Sequence, residues 1–314
     1  KAQWTTSPLF STSLQMFVAA MIAYIAVVQM GVQRSRGVNL LDRATWHQRI
    51  VPLGLSRAVD IGCGNYALSL VTVALQQIVK ATLPIFVTLL SVIVLRKRVS
   101  LKMVSSLVPI VVGTIVASVS PHHHAPTTSN IIIPAPSTAG VLLAMVSCFG
   151  RASKAVLNAL LLSGAGGGGG SGKKLRPMEI VLLEAPTTGV MILIPALLLE
   201  GHSLFIARTN QFIVHPWSTI GLNLLCGALM FGTQVAYVTL IDETSALSCQ
   251  VLMSVKMLFL VFFSVWWHHT PFTWLNGFGV LVAGAGCIAY ARTAQDQEKA
   301  VAAKKHDTLP SDVV

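Results

Sequence analysis

The sequence predicts an all-α polytopic membrane protein, with nine visible transmembrane helices of an inferred ten. Three observations carry that reading. Apolar residues make up 54% of the 314 and charged residues only 11%, where a soluble domain averages about 25% charged. Mean hydropathy is +0.71 over the whole chain, which a lone anchor on a soluble domain would not give. Positive charge is confined to alternate short connections between the apolar runs, the mark of cytosolic loops in helical membrane proteins.

The apolar runs lie near 8–29, 50–68, 71–95, 103–120, 138–162, 178–199, 217–240, 244–267 and 271–291. A helix rising 1.5 Å per residue needs about 20 residues to cross a hydrocarbon core of roughly 30 Å, so each run fits one span. Turn residues are scarce at 68–72 and 242–243, where the boundaries are least sharply marked. The first connection carries Arg34, Arg36, Arg43 and Arg49, and the third Arg96, Lys97, Arg98 and Lys102. The fifth carries Lys173, Lys174 and Arg176, and the tail Arg292, Lys299, Lys304 and Lys305. Connections 121–137 and 268–271 have no Lys or Arg, and 200–216 has only Arg208. This puts the C-terminus in the cytosol. Nine spans then leave Lys1 on the far side, with neither an initiator methionine nor a signal peptide to deliver it. The expectation is that the first helix is missing from this chain.

The organisation expected is an N-terminal repeat at 1–162 lacking its first helix, a Gly-rich cytosolic linker at 163–177, a C-terminal repeat at 178–291 and a disordered cytosolic tail at 292–314. The linker contains GAGGGGGSG at 164–172, a flexible composition. His122, His123 and His124 are consecutive and cannot all face one ion on a regular element, so they read as solvated loop, not metal site. The five cysteines fall in apolar segments at unrelated spacings and suggest no disulfide framework.

The chain is organised around residues 65–84, NYALSLVTVALQQIVKATLP, which set Lys80 in apolar sequence with no acid between Asp60 and Glu179. A lysine near the bilayer centre costs about 2.5–3.5 kcal/mol on insertion scales, and a bound anion would offset that. Residues 244–265 repeat the theme around Lys256. Thr-x-Ala-Leu precedes both lysines, at 72–75 and 244–247, by five residues in one case and nine in the other. The difference is about one helical turn. A weak internal repeat with matched polar residues at membrane depth marks a two-fold transporter; the alternative is two snorkelling or chance lysines.

Five basic residues fall at membrane depth: Arg57, Lys80, Arg151, Lys154 and Lys256. Asp60 and Glu184 are the acids there, with Glu179 at the margin. Arg57 and Asp60 are three apart and share a helix face, so they read as a structural pair. Arg151 and Lys154 share a face with no acid beside them in sequence, and Arg151 is a pocket candidate. With the amides Asn65, Gln76 and Gln77, the candidate substrate-binding set is Lys80, Lys256, Asn65, Gln76, Gln77 and Arg151. Cations with amides suit a phosphorylated ligand whose sugar or base needs polar contacts. A cation-coupled exporter would need an essential carboxylate, for which only Asp60 and Glu184 qualify. There is no Gly-rich phosphate loop, H-E-x-x-H or nucleophile elbow, so no enzyme, cofactor or metal is expected. The net charge of +11 lies mainly in loops, which argues against nucleic acid.

Residues 65–86 read N-Y-A-L-x-x-V-T-V-A-x-x-Q-x-V-K-A-x-x-P-I-F. They resemble the most recognisable segment of the triose-phosphate/nucleotide-sugar translocator family, within the drug/metabolite transporter superfamily. The opening K-A-x-W-x-x-S-P-L-F-S-T-S-L-Q-M, A-V-D-I-G from Ala58, Gly150-Arg151 and P-F-T-W-L-N-G-F-G from Pro271 continue the resemblance. It implies ten helices in two inverted five-helix repeats, alternating access and exchange, with the family's two phosphate-binding lysines matching Lys80 and Lys256. Plastid triose-phosphate exchangers have arginine where Met257 stands and histidine where Ile61 stands. The sequence therefore looks closer to secretory-pathway members. The resemblance implies an antiporter for a phosphorylated sugar, a nucleotide sugar in the first instance, in a Golgi or endoplasmic-reticulum membrane. A plastid-type sugar-phosphate/phosphate exchanger and a non-transporting regulatory protein of the same fold are the alternatives. The partners expected are a small anionic substrate, its counter-substrate and the bilayer, with a homodimer as an open arrangement.

Overall fold

The structure is a computed structural model that describes residues 8–29, 46–71, 76, 79–95, 101–118, 138–163, 175–214, 216–256 and 274–307. Among these the regular structure is helical throughout. Helix α1 (Pro8–Tyr24) runs on into a π-helical turn, Ile25–Gln29, and a second such turn, Trp46–Ile50, leads into α2 (Val51–Leu70). There follow α3 (Leu83–Leu95), α4 (Leu101–Ser118), α5 (Thr138–Ser163), α6 (Pro177–Val214) and α7 (Pro216–Glu243). The short α8 (Ala246–Lys256) and the long α9 (Trp274–Asp307) complete the order.

Local chemistry accounts for several of the ends. Pro177 opens α6, where its missing N–H costs nothing, and Glu179 accepts the Arg176 N–H at 3.0 Å. Ser245 caps α8, its Oγ accepting the Ser248 N–H at 3.1 Å. Helix α2 stops where Val71 turns extended, at φ −134° and ψ 156°.

Four helical segments are long and apolar enough to cross a membrane: Leu9–Gln29, Thr138–Ser163, Pro177–Leu198 and Ile220–Glu243. Shorter apolar helices are Val79–Val94, Leu101–Val116, Ala246–Lys256 and Gly277–Thr293. Of the nine expected spans, four are thus present at full length among the described residues. Three further expectations are corrected. The third span, 71–95, was to carry Lys80 in one uninterrupted helix, but a single turn residue interrupts it at Thr82, whose Oγ1 bonds the Val79 carbonyl at 2.7 Å. Pro84 behind it has no N–H to continue the ladder. The connection 200–216 is helical to Val214, because only Gly201 interrupts the sequence before Pro216. The polar tail after Ala294 is also helical, to Asp307; its Ala, Gln, Glu and Lys residues are good helix formers. The Gly-rich run and the three histidines lie outside the described residues.

The chain divides into two compact units, each made of two separate stretches of the sequence. Unit 1 is Lys1–Thr72 with Pro134–Cys249, and unit 2 is Val73–Ile133 with Gln250–Val314. The division does not follow the expected sequential halves 1–162 and 178–291. In unit 1, α2 packs along α5 and α6, while α1 packs along α6 and α7. In unit 2, α4 and α9 form the main interface. Glycines let the backbones meet, as in other helix bundles in lipid. A Cβ on Gly113 would come within 2.3 Å of the Ala283 nitrogen, and one on Gly150 within 2.8 Å of the Ser56 oxygen.

Candidate functional site

Unit 1 holds a buried polar network built by four helices. Arg57 on α2, Lys154 on α5, Glu184 on α6 and Gln234 on α7 are all buried. Glu184 is fully enclosed and takes three donors: Arg57 Nη1 at 2.9 Å and Lys154 Nζ at 3.2 Å on Oε1, and Gln234 Nε2 at 2.8 Å on Oε2. Gln234 returns its Oε1 to Lys154 Nζ at 3.1 Å. Lys154 also lies over the Tyr237 ring, 5.2 Å from its centroid, a cation–π contact. Glu184 thus meets the requirement that a buried charge be paired and hydrogen-bonded.

A second cluster sits beside it. Asp60 on α2 accepts Arg151 Nε at 3.0 Å on Oδ2 and the Ser147 hydroxyl at 2.9 Å on Oδ1. Ser147 and Arg151 are one turn apart on α5, and Gly150 between them lets α5 rest on the α2 backbone at Ser56 and Asp60. Asp60 is buried, whereas the Arg151 side chain is 41% exposed. The exposed apolar side of α5 is Leu142, Met145, Val146 and Phe149. At 100° per residue Arg151 lies about 180° from Leu142, and Ser147, Lys154 and Asn158 fall within roughly 60° of one another around it. Arg151 therefore opens on the inward face of α5, away from its lipid-facing side.

The expected Arg57–Asp60 pair is corrected. The two share a face of α2, as their spacing dictates, but Arg57 pairs with Glu184 and Asp60 with Arg151. Each bonds across a helix interface, to a partner no sequence spacing reveals. Lys154, read as lacking an acid, has Glu184. Gln234 escaped the sequence reading; a lone amide within an apolar span was the available signal.

The remaining candidates divide between the units. Asn65 is partly buried on α2 in unit 1. Lys80 and Lys256 both belong to unit 2. Lys80 is partly buried, two residues before the turn at Thr82, and donates to Oε1 of the buried Gln76 at 3.1 Å. Lys256 ends α8 with its side chain exposed. Gln77 lies outside the described residues. A broken helix beside a charged residue at membrane depth is tolerated where it lines protein or a water-filled cavity. Chemically, these groups can hold an anion and its polar substituents.

The chain is 27% identical to UDP-galactose transporter 1 of Arabidopsis thaliana, over 90% of this chain and 77% of that protein. It is 25% identical to the GDP-mannose transporter GONST5 of the same plant, over 90% and 76%. A probable sugar phosphate/phosphate translocator of Arabidopsis thaliana is 27% identical over 90% and 84%. One solved crystal structure shares the fold at a TM-score of 0.64 with 14% identity, over 94% of this chain and 91% of the other. The family profile described as "Triose-phosphate Transporter family" matches residues 2–291. The chain belongs to that family, a family of membrane transporters and not of enzymes.

Proposed function

We propose that this transporter is an antiporter for a phosphorylated sugar, in the first instance a nucleotide sugar, in a Golgi or endoplasmic-reticulum membrane. The observation that carries the reading is the cation excess at membrane depth. In unit 1, three cations, Arg57, Lys154 and Arg151, pair with two acids, Glu184 and Asp60, and Lys80 and Lys256 add positive charge in unit 2. A bundle that moved cations would need the reverse balance. Ile61 and Met257 stand where plastid exchangers carry histidine and arginine, which favours nucleotide sugars. The sugar phosphate/phosphate exchanger is the second reading, favoured by relatives of that name.

Two inverted five-helix repeats underlie the mechanism we infer. An even split of ten helices puts the boundary between α4 and α5, so residues 1–162 are not one repeat and the Gly-rich run joins two helices of the second. The unit boundaries support this division. They fall at 72/73, 133/134 and 249/250, that is, between α4 and α5 and just within or after each Thr-x-Ala-Leu. Alternating access would then move parts drawn symmetrically from both repeats.

Uptake into proteoliposomes from a panel of nucleotide sugars and sugar phosphates tests the function. Counterflow of at least one nucleotide sugar is expected. Lys80→Gln and Lys256→Gln should each lower apparent affinity about ten- to a hundredfold, the loss of a charge-assisted contact of roughly 1.5–3 kcal/mol. The exposed Lys102→Gln is the control. Exchange of sugar phosphates alone would favour the second reading, and no uptake of either class would remove both.

A further inference from the structure

We propose that unit 1 has two hydrogen-bonding registers one helical turn apart, and that Asn158 on α5 and Thr188 on α6 are the partners held for the second. In that register α6 has slipped past α5, Glu184 has passed from Lys154 to Asn158, and Lys154 has passed to Thr188. The slip lies inside unit 1 and goes beyond the division into repeats proposed above.

The carrying observation is a pair of orphans. Both amide atoms of Asn158 and the hydroxyl of Thr188 have no hydrogen-bond partner among the described residues. Buried polar groups in native proteins are nearly always paired, with protein or with ordered water. Here both residues are fully enclosed, so a water has no room to touch them. Their partners have to come from a rearrangement of the protein itself.

The positions of the two say which one. Helices α5 and α6 run antiparallel: Leu175, just ahead of α6, donates its N–H to the Leu161 carbonyl near the end of α5 at 3.4 Å, and Lys154 meets Glu184 further in at 3.2 Å. Asn158 is one turn beyond Lys154, on the Leu175 side of that ion pair. Thr188 is one turn beyond Glu184, on the other side. A single slip of four residues, about 6 Å, therefore brings Asn158 to Glu184 and Lys154 to Thr188 together. One-turn ratchets of one element past another are an established way for packed helices to switch.

The packing leaves a seam for it. Gly140 and Gly150 seat α5 on the α2 backbone, and Gly227 seats α7 on the Gln15 carbonyl of α1. Across the seam α5 meets α6 and α7 only sparsely, and Gly54 of α2 meets the side chains of Thr187 and Met191 on α6. Arg57 and Lys154 stand on one side, Glu184 and Gln234 on the other, so Gln234 travels with Glu184. Arg57, left behind, has Asp60 one turn along the same face of α2. The slip exchanges ion pairs for bonds to neutral groups, which are weaker than charge-assisted ones, so the present register is the resting one.

The test is the distance between paired spin labels on the purified full chain in nanodiscs, without ligand and with the five native cysteines replaced. Labels at the exposed Ser163 of α5 and Ile194 of α6 span the seam. Labels at Leu55 of α2 and Leu142 of α5 lie on one side of it and should hold one distance throughout. The otherwise unchanged chain should show mainly the longer seam distance. Gln234→Leu weakens the resting register and should populate a second distance about 5–6 Å shorter. Adding Asn158→Leu should abolish that second distance. Alone, Asn158→Leu removes orphaned polar atoms at nearly the same shape and should raise the melting temperature by a few degrees. A single seam distance in every variant would overturn the proposal, as would a shorter distance that survives Asn158→Leu. A lower melting temperature in Asn158→Leu would also overturn it, because the amide would then be satisfied in the resting register. None of these readouts uses transport, so a failed slip leaves the antiporter reading standing, and failed uptake leaves the slip standing.

Discussion

Glu184 has two carboxylate oxygens and three donors on them, and that arithmetic fixes what its loss would do. Replacing it with Gln keeps most of the shape but leaves Arg57 and Lys154 as two buried cations with no counter-charge. Breaking a buried pair by removing one partner costs about 3–5 kcal/mol, so Glu184→Gln should lower the melting temperature of the purified protein markedly. Adding Lys154→Met removes one of the stranded charges and should recover part of the loss. If the double variant melts no higher than the single one, Lys154 is not coupled to Glu184. The sequence displays the raw material of this network but not its wiring. Arg57 and Asp60 are legible as residues on one helix face, and Arg151 and Lys154 as another such pair. Which carboxylate each cation takes depends on which helices are neighbours, and lone charges in apolar spans carry no address. Gln234 is less legible still, since an amide in a span has no signature until its partners are known.

Helix contacts in this chain are set by where side chains are absent. Gly113 on α4 lies against the α9 backbone at Gly279 and Ala283, and Gly150 on α5 against the α2 backbone at Ser56 and Asp60. A methyl at Gly113 would meet backbone, which cannot swing aside as a side chain does. Overpacking of this kind costs about 1–3 kcal/mol, so Gly113→Ala should destabilise by that order in a thermal-melt series. Gly62 and Gly284 have nothing within 4 Å of an added Cβ, and alanine there should be neutral or mildly stabilising, by up to about 1 kcal/mol from helix propensity. Equal effects at all three positions would mean that close approach is not what the α4 glycine serves. Apolar run length was enough to find most helices, because about 20 apolar residues have few other fates. It could not find their true ends. Polarity suggested a loop at 200–216 and a disordered tail after Ala294, yet no Pro or Gly stands between Gly201 and Pro216 or between Ala294 and Asp307, and the chain is helical to Val214 and to Asp307. Conversely, the apolar run through Lys80 hides a break at Thr82, where Pro84 supplied the signal.

At the scale of the whole molecule, the sequential halves and the compact units are different partitions of one chain, and the difference is informative. Contacts cut the chain at 72/73 and 249/250, within and shortly after the two copies of Thr-x-Ala-Leu. A non-helical break accompanies each: Val71 is extended, and Thr244 and Ser245 interrupt the run from α7 to α8. Periodicity and charge could suggest a repeat, but only spatial contacts reveal that each unit joins one stretch that ends before residue 134 to one that begins at or after it. The inverted arrangement proposed above makes a demand that can be checked on the intact protein. With nine α-helices among the described residues and basic residues on alternate connections, Ser171 and Ala302 should face the cytosol and Ser129 the opposite side. Single cysteines at these positions, in a background with the five native cysteines replaced, can be probed with a membrane-impermeant maleimide in sealed right-side-out and inverted vesicles. Cysteines at 171 and 302 should label together in one orientation and a cysteine at 129 only in the other, with detergent exposing all three. Labelling of 171 and 302 from opposite sides would mean an odd number of crossings between them. The four spans counted from α6 to α9 would then be wrong, and the pairing of Lys80 with Lys256 as equivalent positions of two inverted repeats would go with them.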